Sequence, residues 1–131
     1  MKKHLLYWLA LGIIVVAGCQ KELSFEGSRT PAEGSLQSEA SGDCLPKLVN
    51  GIYEAAQPLV ADTNTTEVSV NVTRTGSYTV YTDTVNGYYF RGTGLFTVTG
   101  VNTVKLQSSG TPFVAGVNNF KVFFDSTECL D

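Results

Sequence analysis

Beyond Cys44 the chain alternates between apolar and polar residues with a period of two. The sharpest case is Glu67-Val68-Ser69-Val70-Asn71-Val72-Thr73-Arg74, in which Val68, Val70 and Val72 share one face. That period belongs to a strand with one side buried and the other in water. After Gly76 comes Tyr78-Thr79-Val80-Tyr81-Thr82, with Tyr78 and Val80 inward. Asn86-Gly87 predicts a hairpin, because both residues tolerate the positive φ of a two-residue turn. Tyr88-Tyr89-Phe90 follows, then a glycine pair at Gly92 and Gly94, then Leu95-Phe96-Thr97-Val98. In Val101-Asn102-Thr103-Val104-Lys105-Leu106, Val104 and Leu106 share a face, and Gly110-Thr111-Pro112 breaks the run. Asn118 to Phe124 reads as the last strand, with Phe120, Val122 and Phe124 inward. Taking Gly51-Ile52-Tyr53-Glu54 as the first, about seven short strands result, with turn residues between them and no helical period. The spacing predicts an all-β domain, an antiparallel β-sandwich.

The N-terminus has another pattern. Lys2 and Lys3 precede an apolar run from Leu5 to Ala17, ending in small residues, as in a secretory signal. The run is shorter than the roughly 20 residues a membrane span needs. Val16-Ala17-Gly18-Cys19 resembles the lipobox of bacterial lipoproteins. That resemblance implies cleavage before Cys19, acylation of its thiol and anchorage to a bilayer, each buried methylene adding about 0.8 kcal/mol. Residues 1–18 are therefore read as a signal peptide, 19–43 as a lipidated cysteine and flexible linker, and 44–131 as the folded domain. The linker assignment rests on Ser, Gly, Glu, Ala, Pro and Gln, with few apolar residues after Phe25. Gln20-Lys21-Glu22 resembles a short charged signal that sends some lipoproteins of the Bacteroidota to the outer face of the outer membrane. A cell-surface position is expected from it, with a periplasm-facing one as the alternative.

Loss of Lys2 and Lys3 takes the formal net charge from −3 to about −5. Nucleic acid wants a basic patch, so it is not an expected partner. Apart from Cys19 the cysteines are Cys44 and Cys129, bracketing the β region. In an exported chain such a pair most simply forms a disulfide. The alternatives are two free thiols or a metal site, but zinc takes about four Cys or His ligands. The only histidine, His4, lies in the signal segment, as does Trp8. Without histidine, Ser/His and Cys/His nucleophilic triads are excluded. Asp62 with Glu67, and Asp83 with Glu54, are acid pairs without a spacing that places them in one cleft. Asp62, Asn64 and Glu67 share a loop but lack EF-hand spacing. No catalytic residue, metal or cofactor is expected.

Three stretches resemble an immunoglobulin-like repeat domain of secreted and surface proteins of the Bacteroidota. They are Val70-Asn71-Val72 through Gly76-Ser77-Tyr78, Thr84-Val85-Asn86-Gly87-Tyr88 through Phe90, and Gly94-Leu95-Phe96 through Ser109-Gly110-Thr111-Pro112. The resemblance implies a sandwich with a cysteine near each end and no known catalytic residues. Asp83-Thr84-Val85 and Asp125-Ser126-Thr127 also resemble the O-glycan acceptor pattern of that phylum. Alternation leaves more aromatics than a core needs, and Tyr81, Tyr88, Tyr89 and Phe123 form a candidate binding face for sugar or protein. The expected role is non-enzymatic: a lipid-anchored envelope protein presenting its sandwich for adhesion or for glycan or protein binding. The alternative is a periplasm-facing accessory or inhibitory subunit that docks an envelope enzyme or complex.

Overall fold

In a computed structural model, which describes residues 30–131, the alternation resolves into eight strands. They are β1 (Glu33–Leu36), β2 (Pro46–Asn50), β3 (Thr65–Arg74), β4 (Gly76–Thr82), β5 (Tyr88–Phe96), β6 (Gly100–Gly110), β7 (Lys121–Phe124) and β8 (Thr127–Leu130). Val68, Val70 and Val72 of β3 are buried, as are Val80 of β4, Val104 and Leu106 of β6, and Val122 and Phe124 of β7. The inward faces read from the period of two are therefore the core faces.

The strands form one antiparallel sheet in the order β1-β3-β6-β5-β4-β7-β8, with β2 pairing on β3 beside β1. The sheet curls until β1 lies against β7 and β8, a near-barrel compatible with a flattened sandwich. Backbone and side chain stitch the seam. Leu36 N donates to Thr127 Oγ1 at 3.0 Å, and Cys44 N donates to the Leu130 carbonyl at 2.6 Å. Cys44 and Cys129 form a disulfide across it, with their Cα atoms 5.1 Å apart.

The Asn86-Gly87 turn has φ of 50° and 85°, the two positive values that match the twist of the flanking strands. Val85 and Tyr88 exchange backbone hydrogen bonds around it at 3.0 and 3.1 Å. Gly92 and Gly94 do not break β5; they let neighbours come close. A Cβ on Gly92 would lie 2.9 Å from Leu106 Cδ2, and one on Gly94 would lie 2.7 Å from Tyr78 Oη. The Tyr78 ring covers Gly94 and stacks on Phe96 at 4.1 Å.

Three expectations are corrected. The folded domain does not begin at Cys44: residues 30–43 supply β1, and Ala32 and Leu36 are core residues. Two apolar side chains and a ladder to β3 order this stretch despite its polar composition. The first part of the expected linker, Cys19 and the signal segment lie outside the described residues. Gly51-Ile52-Tyr53-Glu54 is loop, and the strand there is Pro46–Asn50. Gly51 takes φ 95°, which ends β2, and Asn64 holds the loop by donating to the Ile52 carbonyl at 2.7 Å. Finally, Asn118–Phe124 is not the last strand, because Asp125 (φ 51°) turns the chain into β8.

Candidate functional site

Side chains of successive residues in a strand point to opposite faces, and paired residues of neighbouring strands share a face. Applied to the outer surface, register assembles a row across five strands. Glu128 of β8 pairs with Phe123 of β7, and Phe123 with Tyr81 of β4. Tyr81 pairs with Arg91 of β5, and Arg91 with Gln107 of β6. Tyr89 lies two residues before Arg91 on the same face of β5, opposite Ser109. The Tyr81 and Phe123 rings stack with centroids 5.4 Å apart, and Tyr81 remains 46% exposed. Tyr89 is exposed as well, and Phe123 is half-buried.

Two open grooves flank the Tyr89–Arg91 pair and share it as a common wall. One, of about 390 Å³, is lined by Thr79, Tyr81, Thr82, Thr84, Tyr89 and Arg91. The other, of about 750 Å³, runs along β6 past Thr93, Lys105 and Gln107 to Ala61. Arg91 has no carboxylate within ion-pair distance among the described residues. In the larger groove Lys105 lies opposite Glu67 in register, and Gln107 Nε2 donates to Asp62 Oδ1 at 2.5 Å. At the far end of the row, Glu128 faces Lys121 at 3.9 Å.

Of the expected binding face, the structure brings together Tyr81, Tyr89 and Phe123. Tyr88 is corrected: it is 5% exposed and points into the core, where its hydroxyl accepts from Asn118 Nδ2 at 3.1 Å. Adjacent tyrosines in one strand cannot share a face, and the Asn86-Gly87 turn fixes which one goes in. Arg91 and Gln107 were missed by sequence reasoning. The signal for Arg91 was present, because the alternation that turns Tyr89 outward does the same two residues later. Gln107 needed the β5–β6 register.

Asn64 and Asp83 have structural roles. Asn64 is buried, with Oδ1 accepting from Val60 N at 3.0 Å, so it braces its loop. Asp83 Oδ1 accepts from Lys121 N at 2.9 Å. Thr84 and Ser126, of the O-glycan-like stretches, are both exposed. Among the described residues, no three His, Cys, Asp or Glu side chains converge as metal ligands would. A small aromatic cleft of about 80 Å³ opens between Val49, Tyr53, Tyr88, Phe120 and Asp131. Burial there pushes the Tyr53 phenol up to about 12, helped by Tyr88 and Asp131 nearby. Burial likewise raises the Asp131 carboxyl, against the pull of its 2.6 Å hydrogen bond from Thr66 Oγ1.

Comparison with known proteins gives no assignment: no family model, curated protein or solved structure matches the chain.

Proposed function

We propose that this protein is a lipid-anchored, non-enzymatic binding module of the cell envelope, which uses the outer face of β7, β4, β5 and β6 to hold a glycan or a protein. One observation carries the reading. The row Phe123–Tyr81–Arg91–Gln107 lies on the outer face while a separate aromatic and aliphatic core lies beneath it, so neither ring of the row belongs to that core. Exposed rings beside a guanidinium that makes no ion pair among the described residues are the residue types that recognition surfaces favour.

The N-terminal resemblance supports the anchor, and the fold supports presentation. Thr30 enters beside the start of β4, its carbonyl accepting from Ser77 N at 3.0 Å. The Asn86-Gly87 turn and the 111–119 loop lie at the other pole, so ligand-facing surface extends away from the point of tethering. Strand order supports an immunoglobulin-like type. β1-β3-β6-β5 and β4-β7-β8 follow the ABED and CFG orders of that fold, with β4 and β5 hydrogen-bonded where it would divide into two sheets. The cysteines depart from the antibody pattern, joining the β1–β2 connection to β8 rather than two facing central strands.

The test is a Tyr81→Ala/Phe123→Ala double variant of the full chain, screened beside the parent on panels of glycans and envelope proteins. The parent is expected to bind a member of a panel and the variant to lose it while still folding. Equal binding by both would remove this face from the function. Protease shaving of intact cells then separates surface display from a periplasmic accessory role: cleavage places the domain outside, and protection until the outer membrane is broken places it inside.

A further inference from the structure

Resting on the proposed binding face, we infer that its ligand is an acidic carbohydrate, and that the groove bounded by Tyr81, Tyr89 and Arg91 seats one sugar unit with its carboxylate on Arg91. The groove is bounded by two aromatic rings, two exposed threonine hydroxyls (Thr79 and Thr84) and one guanidinium. Its lining contains no carboxylate and no amide. An aromatic ring packs against the C–H face of a sugar, threonines exchange hydrogen bonds with its hydroxyls, and a guanidinium grips a carboxylate with two parallel N–H···O bonds. About 390 Å³ lies within the range of roughly 300–1,000 Å³ that small-molecule sites occupy.

Charge placement selects for an anion. The chain carries a net −3, yet no acid lines this groove. Asp83 accepts from Lys121 N, Asp62 accepts from Gln107, and Glu67 lies across from Lys105. Glu128 is three strand spacings from Arg91, about 14 Å. Arg91 lines the groove with no carboxylate within ion-pair distance among the described residues. A neutral sugar would leave that guanidinium without its best partner. The neighbouring groove along β6 continues the same wall past Lys105, which gives room for a further unit of a chain.

The experiment is titration calorimetry of the full-length protein in detergent against a panel of uronic-acid oligosaccharides. Each is paired with its counterpart in which the carboxylates are reduced to hydroxymethyl groups, and a sulfated oligosaccharide of equal charge is included. At least one uronate is expected to bind about ten- to a hundredfold more tightly than its reduced counterpart, the range a charge-assisted hydrogen bond gives. Arg91→Ala should remove that preference, and Arg91→Lys should restore part of the affinity without the two-pronged geometry. Equal binding of the reduced or the sulfated sugar would overturn carboxylate recognition, as would an Arg91→Ala variant that keeps the preference. Absence of binding to every uronate would also overturn it. If neutral glycans or a protein then bind in a Tyr81-dependent manner, the binding face stands and only the acidic ligand is wrong. If nothing binds and Tyr81→Ala/Phe123→Ala changes nothing, both readings fall.

Discussion

Two sets of aromatic rings lie back to back in this protein. Inside, Tyr88, Phe90 and Phe120 meet in tilted and edge-on contacts at centroid distances of 5.0–5.8 Å, each 5% exposed or less. Outside, Tyr81 and Phe123 make a comparable contact at 5.4 Å, with one flank of the pair open to water. The direct ring–ring attraction is similar in both places, on the order of 0.5–1.5 kcal/mol. What differs is the apolar area withdrawn from solvent. The inner rings hold the fold together, whereas the outer pair keeps apolar surface in contact with water.

Substitutions that unbalance the two sets sharpen this contrast. Phe90→Ala empties a site that is 2% exposed and should cost about 3–5 kcal/mol, read as a fall in urea midpoint; a loss under about 1 kcal/mol would mean that the inner set is not the core. Cys44→Ser with Cys129→Ser opens a loop with a sequence separation of 85. Its expected cost is about 2–4 kcal/mol, and an unchanged midpoint would show that the seam holds without it. For the outer pair, a double-mutant cycle on Tyr81→Ala and Phe123→Ala should give a coupling of about 0.5–1 kcal/mol. A single-ring loss on the outside as large as that of Phe90→Ala would erase the distinction.

Asp131 gives the smallest and most conditional effect. Its folded-state carboxyl is raised above the ordinary 3.8 by burial, so the folded chain holds that proton more tightly than the unfolded one. The contribution to stability therefore grows as pH falls through the raised value, and at neutral pH the buried charge is a cost. Asp131→Asn should be at least as stable as the parent at pH 7 and should lose ground to it on acidification. The reverse trend in paired urea titrations would contradict the assignment.

The inward and outward faces were legible in the sequence wherever a strand alternates cleanly, as in Val68–Val72 or Phe120–Phe124, because a period of two is a local property. The hairpin at Asn86-Gly87 was legible for the same reason. β1 was not, since Ala32 and Leu36 are two apolar residues in a polar stretch, and their burial depends on β3, β7 and β8, far along the chain. Tyr88 was misplaced because two neighbouring tyrosines carry no label for in and out until the turn before them is resolved. The outer row was half legible: its rings stood out, whereas the Arg91–Gln107 part depended on how β5 and β6 align.

The seam at Cys44–Cys129 has a mechanical consequence. A pull on Thr30 loads β1 first, and β1 can peel from β3 only as far as the disulfide, a run of extended chain of about 45–50 Å. Beyond that point the tension divides between β2, next along the chain, and β8, reached through the disulfide. A pull on Thr30 would thus spend residues 30–43 before it loads the strands that carry Phe123, Tyr81 and Arg91.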